Sequence, residues 1–367
     1  ADGASREAGM PDDPLRDAPN AVEPRHNPHR EPLPEPRQEI NRELRQELRQ
    51  ELRRTREAMN RQQELLARLV ESAEKSRENF RRGTQALFYE LDQVRREIQA
   101  VRNMEAIRWQ REELEHSPRY QEPLRLPRHA FQVNSQNGED GIIHEIFQRI
   151  GPGSRRFVEM GVGDGTENNT AFLLSQGWTG CWIDGRDTFL ANIASRPDLQ
   201  DGCLAHRVAA VDRDNAAGLL RELGVPREFD LLSLDIDQNT YYAWEALNEF
   251  APRAVVVEYN AAIPPAIDWK VRYAADRAWD GSQNAGASLK AFERLGRRLG
   301  YCLVGCDYSG VNAFFVRSDL TAGRFAEPFT AENHYEPPRY PHLLHRRGHP
   351  RAILDRMPPD PPPDRAP

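Results

Sequence analysis

The chain has 367 residues, with 50 Lys+Arg against 57 Asp+Glu, a formal net charge of −7, and 28 prolines. Residues 116–327 carry 22 basic against 28 acidic side chains, which argues against nucleic acid as the main partner, because phosphate binding needs a basic face. No apolar run approaches the roughly 18 residues that a membrane span needs, and the N-terminus has no signal-peptide core.

The four cysteines, Cys181, Cys203, Cys302 and Cys306, form no CxxC pair. Free thiols in a reducing compartment are expected, and a cytoplasmic protein with them.

Residues 1–36, rich in Pro, Arg, Asp and Glu, read as a disordered tail. From 37 to 115 there is no proline and one glycine, Gly83, so a long helix is predicted. Leu87, Leu91, Val94, Ile98 and Val101 alternate by four and three, the spacing of a coiled-coil seam. Leu66, Leu69, Ala73 and Phe80 keep a similar seam in another phase, with the slip near Gly83. Ile40, Leu44, Leu48 and Leu52 repeat every four residues, each preceded by Glu, the last three followed by Arg. The leucine stripe therefore has an acidic and a basic flank, which would match across a parallel pair. A parallel homo-oligomer is expected; a helix folded back on its own domain is the alternative.

Residues 116–128, with three prolines, read as an extended linker. From 129 to 327 apolar strands alternate with helical patterns, the signature of a parallel α/β sheet. Candidate strands are 156–160, 180–184, 206–211, 230–235 and 254–258. YCLVGC and NAFFV, on either side of the turn-forming DYSGV, then read as an antiparallel hairpin. Residues 328–367 are again rich in Pro, Arg and His and read as a tail.

The most informative stretch is RFVEMGVGDGTENN, 156–169. A short strand runs through Glu159 into Gly161, Gly163 and Gly165, where the absence of Cβ lets backbone approach a nucleotide-like ligand. About 20 residues on, GCWIDG ends a second strand at Asp184, where a carboxylate accepts ribose hydroxyls. The spacing is GxGxG rather than the GxGxxG of dinucleotide sites, which points to S-adenosylmethionine rather than a nicotinamide.

Six segments occur in order: SQNGEDGII (135–143), the glycine loop, GWTGCWIDG (177–185), LLSLDIDQNTYYAWEAL (231–247), VVVEYN (255–260) and GASLKAFERLGRRLGYCLVG (286–305). Together they resemble the FkbM-like group of S-adenosylmethionine-dependent methyltransferases, over about residues 133–317. The resemblance implies a seven-stranded Rossmann-like methyltransferase sheet with a terminal antiparallel hairpin, here preceded by the coiled-coil helix. It implies S-adenosylmethionine as cofactor and O-methylation of a sugar or other hydroxylated acceptor. Glu159, Gly161 and Gly163 would lie under the methionine end, Asp184 at the ribose, and Asp212 near the adenine amine. For Asp212 a helix cap ahead of NAAGLLREL is an equal reading. Glu139 and Asp140 either line the pocket or cap the helix that follows.

Asp235, Asp237, Glu258 and Asn260 close the fourth and fifth strands, so their oxygens should converge at the carboxyl edge. Asp235, Asp237 and Asn260 could hold Mg²⁺, which would lower the pKa of acceptor hydroxyls. Alternatively one of Asp235, Asp237 and Glu258 acts as a metal-free general base. The family's fourth-strand motif continues Gly-Asn-Asp, whereas this chain has Gln238, Asn239 and Thr240. That departure leaves open a non-catalytic scaffold in which the coiled coil recruits partners.

Overall fold

A computed structural model describes residues 35–199, 201–275 and 279–339, with side chains from residue 43 onward. The predicted tails therefore lie outside the described residues up to 34 and from 340, as do the side chains of Glu39 and Ile40. The N-terminal helix, α1, runs unbroken over Glu35–His116. Good helix formers sustain it, and the lone Gly83 costs too little to stop it. The chain divides into two compact units between Leu91 and Asp92. In the first, Leu44, Leu48 and Leu52 are 63%, 59% and 62% exposed.

In the second unit, Trp109 near the end of α1 packs edge-on against Tyr308 at 6.4 Å between ring centroids, and Tyr308 donates to Glu113. The predicted extended linker is instead partly helical. A short helix α2, Pro118–Gln121, and a 3-10 turn, Pro127–His129, interrupt it. Proline opens each, because its fixed φ suits a first turn where its missing N–H is not needed.

Seven strands form one sheet: β1 Arg156–Met160, β2 Thr179–Asp184, β3 Leu204–Val208, β4 Leu231–Leu234, β5 Ala254–Glu258, β6 Tyr301–Cys306 and β7 Asn312–Arg317. Their order is β3-β2-β1-β4-β5-β7-β6. The first five are parallel; β7 runs antiparallel to β5, and β6 to β7. This is the seven-stranded Rossmann-like sheet with a terminal hairpin that the sequence predicts. β3 begins two residues before its predicted 206 and leaves the sheet at Val208. It is an edge strand with most side chains exposed, so apolar pattern marks its ends poorly.

Helices cover both faces. Helices α3 (Glu139–Ile150), α4 (Ala171–Ser175) and α5 (Phe189–Ala194) lie over one, and α6 (Ala216–Glu222), α7 (Thr240–Ala246) and α8 (Leu289–Leu299) over the other. Burial on both faces explains the continuous apolar strands. In β5, Val255 and Val257 join the core under α6–α8, while Ala254 and Val256 join the core under α3–α5.

The domain does not end at Glu327. A last turn, α9 (Ala331–His334), is capped by Thr330, and its Ala331 N–H donates to Glu293 at 2.7 Å. Beyond it Glu336, 2% exposed, accepts from Tyr120 at 2.7 Å and pairs with Arg119 and Arg339. Composition marks 328–339 as tail because its anchors are polar pairs rather than apolar periodicity.

Candidate functional site

The glycine loop leaves β1 across the end of β4. Gly161 has φ +89, and a Cβ on it would lie 1.6 Å from the Asp235 carbonyl oxygen. Only glycine fits there. Gly163, φ +66, is different: a Cβ would meet nothing within 4 Å, and its N–H donates to Asp184 Oδ2 at 2.8 Å. Its other oxygen accepts from the Arg186 N–H at 2.8 Å.

Glu159 holds the far side of the loop. Its carboxylate is 1% exposed and accepts from the N–H groups of Asn169 (2.9 Å) and Thr170 (3.1 Å). The Thr170 hydroxyl (2.5 Å), Asn168 Nδ2 (2.5 Å) and Ser233 hydroxyl (3.2 Å) complete the shell. Burial pushes this carboxyl up and the donors from Thr170, Asn168 and Asn169 pull it back. Glu159 thus acts as an anchor for the turn as well as a wall of the site.

Above the loop opens a cavity of about 830 Å³, whose lining includes Glu159, Gly161, Gly163, Asp184, Asp235 and Asp237. Asp212 is not in that lining. Its carboxylate accepts from the N–H groups of Asp214 and Asn215 at 2.7 and 2.9 Å, serving the turn into α6. Glu139 lines the cavity and accepts from Asn312 Nδ2 at 2.7 Å. Asp140 instead organises the preceding loop, with one oxygen taking the N–H groups of Val133, Asn134 and Ser135.

Asp235, Asp237 and Glu258 come together at the carboxyl ends of β4 and β5, each offering an oxygen within 4.8 Å of the others. Asp237 is held at φ +57, a conformation that costs a non-glycine residue about 1–2 kcal/mol. Asp235 and Asp237 open into the cavity, yet the protein encloses Asp235 on its other sides. That enclosure pushes the Asp235 carboxyl up to about 7, with Asp237, Glu159 and Glu139 adding repulsion and a hydrogen bond from Glu258 opposing it. Burial and the charge of Asp235 hold Glu258 well above the carboxylate range. Each carboxyl raises the other, so the Asp235–Glu258 pair titrates as a unit.

A second cavity, about 480 Å³, adjoins the first and shares Gln136, Asp237 and Val311 with it. Glu258, Asn260 and Trp279 also line it, and among the described residues no Lys, Arg or His does. Asn260 is committed to the loop beyond: its Nδ2 donates to the carbonyls of Gln283 (2.7 Å) and Ala285 (3.0 Å), and its Oδ1 accepts from the Ala262 N–H at 3.2 Å. The third acid of the cluster is Glu258.

Asn168 and Asn312, which sequence reasoning did not single out, also line the first cavity. Asn168 had a signal in its place just after the glycine loop; Asn312 had none, since only the hairpin brings it there. Of the aromatic residues after β4, Tyr241 and Trp244 are core, and Tyr242 donates to the Val271 carbonyl at 2.8 Å.

No family model matches this chain, and neither does any curated protein. Among solved structures it is similar to an S-adenosylmethionine-dependent methyltransferase from Clostridium acetobutylicum, with 12% identity over 50% of this chain and 92% of that one, TM-score 0.32. It is also similar to the CcbJ methyltransferase from Streptomyces caelestis, with 12% identity over 50% of this chain and 91% of the other, TM-score 0.31.

Proposed function

We propose that this chain transfers a methyl group from S-adenosylmethionine to a hydroxyl of a sugar or another hydroxylated small acceptor. The observation that carries the reading is the meeting of two cavities at Asp237, with Asp235 and Glu258 at their junction. The larger one falls within the roughly 300–1,000 Å³ of small-molecule sites. Its residues suit an adenosyl ligand. Gly163 leaves open space beside the loop, and Asp184 keeps acceptor capacity beyond its two N–H bonds. When bound, the cofactor supplies a methyl group already activated on a sulfonium.

The protein's share is alignment and proton removal. Holding the acceptor in the adjoining cavity supplies much of the rate. Among the described residues acids outnumber bases around both cavities, which favours a cation in the first. Once the Asp235–Glu258 pair has given up a proton, its free carboxylate can take the proton of the attacking hydroxyl. The six ordered segments support the FkbM-like group within this class, and the free thiols support a cytoplasmic location. Among the described residues no helix is long and apolar enough to cross a membrane.

The test is calorimetric titration with S-adenosylmethionine and S-adenosylhomocysteine, with Asp184→Ala alongside. Binding that the substitution removes is expected, followed by turnover in a screen of hydroxylated acceptors. Failure to bind either ligand overturns the enzyme reading and favours the non-catalytic scaffold.

A second reading places Mg²⁺ or a similar ion at Asp235, Asp237 and Glu258, because three hard oxygen donors lie within 4.8 Å. The ion would displace protons from the pair and acidify the acceptor hydroxyl. Full activity after exhaustive chelation rejects the ion; activity lost on chelation and restored by Mg²⁺ rejects the metal-free base.

A further inference from the structure

The first unit carries a feature that methyl transfer does not use. Over residues 43–53, α1 repeats Glu-Leu-Arg three times: Glu43-Leu44-Arg45, Glu47-Leu48-Arg49 and Glu51-Leu52-Arg53. A four-residue step drifts only roughly 40° around a helix of 3.6 residues per turn. The three leucines thus form one stripe with glutamates along one flank and arginines along the other. Each flank stacks like charges four residues apart, which is repulsive in a solitary helix.

Among the described residues none of these six charges has an ion-pair partner. Further along the same helix the opposite rule holds: Glu71–Lys75, Glu78–Arg82, Asp92–Arg96 and Arg108–Glu112 all pair at four-residue spacing. The leucines are about three-fifths exposed. Residues 43–53 thus combine an uncovered apolar stripe with two unneutralised charge rows of opposite sign.

We infer that residues 43–53 form a parallel, in-register coiled coil with a second copy of this chain. The charges determine the orientation. Around a parallel axis the left flank of one helix meets the right flank of the next, so Glu43, Glu47 and Glu51 face Arg45, Arg49 and Arg53 of the copy. In an antiparallel pair like flanks meet, glutamate on glutamate and arginine on arginine. A copy of the same sequence supplies both missing charge rows and covers the leucines at once. This inference is independent of the cofactor reading, and its test does not involve the active site.

Sedimentation equilibrium of the full chain tests it first, with a mass at least twice the 42.0 kDa of one chain expected. Two charge variants follow, E43R/E47R/E51R and R45E/R49E/R53E, each with both flanks of one sign. Each alone should sediment as a monomer, and an equimolar mixture should associate again. Restored association rules out simple misfolding. Orientation is read from Leu44→Cys and, separately, Leu52→Cys under mild oxidation, against oxidised wild type as control for the native thiols. In the parallel register each variant cross-links to its own copy. A monomeric wild type, charge variants that remain associated, or a cross-link formed only between the Leu44→Cys and Leu52→Cys chains would each overturn the inference.

Discussion

Gly161 and Asp235 touch through backbone alone: the glycine passes so near the end of β4 that a Cβ on it would lie 1.6 Å from the Asp235 carbonyl oxygen. The same contact that seats the glycine loop also sets where the acid cluster begins. Loop geometry and carboxylate position are therefore coupled, and substitutions in one should be felt in the other.

Gly161→Ala and Gly163→Ala separate packing from conformation. Both residues have positive φ, but only Gly161 faces backbone. Gly163→Ala should cost about 1–2 kcal/mol for the left-handed conformation alone. Gly161→Ala must also displace β4 or the loop, and should cost more than about 4 kcal/mol. Denaturant unfolding measures both; equal losses would contradict the close approach.

Glu159→Ala leaves the N–H groups of Asn169 and Thr170 without their acceptor in a buried site. At about 1–3 kcal/mol for each stranded donor, a loss of roughly 2–6 kcal/mol is expected. Glu159→Gln keeps one acceptor oxygen and should lose less. A thermal midpoint lower by less than about 3 °C in the alanine variant would show that the loop does not depend on this carboxylate.

Asp184→Ala and Asp212→Ala should part company. Asp184 lines the cavity and its partner Gly163 belongs to the loop, so binding of S-adenosylmethionine should weaken at least roughly tenfold, or about 1.4 kcal/mol. Asp212 lies outside the lining and serves the turn into α6. Its removal should change affinity less than about twofold, while costing about 1 kcal/mol of stability for the turn's lost hydrogen bonds. Calorimetry and unfolding of the two variants check both halves.

The acid cluster predicts a pH dependence. Asp235 holds its proton up to about 7 in the folded chain, against an ordinary value near 4 when unfolded. Between those values the folded state binds more protons than the unfolded one, so stability falls as pH rises through that window. Activity should run the other way, rising as the pair gives up a proton near pH 7. Asp235→Asn should flatten the stability slope and remove that limb of the rate profile. Measured without divalent ions, a wild-type rate already constant from pH 5 to 8 would exclude the carboxylate base.

Much of this molecule was legible in one dimension because its signals are local. The strands β1 and β5 coincide with their predicted limits, since apolar runs bounded by glycine or a polar turn reflect burial on both faces of a sheet. The helix α1 follows from composition alone, and the glycine loop from the need for backbone without Cβ. The order of the strands is a different matter. Only packing put β1 between β2 and β4 and turned β7 against β5, and with that order came the convergence of Asp235, Asp237 and Glu258.

Tertiary structure also decided the duties of single polar side chains. Asn260 and Asp212 are well placed in sequence for a metal and for adenine, and in the fold each hydrogen-bonds within a neighbouring loop. Glu336 reads as tail but is buried against Arg119, Tyr120 and Arg339. Apolar burial leaves a periodic record along the chain because it is non-directional and shared by many residues. A hydrogen bond or ion pair joins two particular groups across hundreds of residues, and that pairing exists only once the chain has folded.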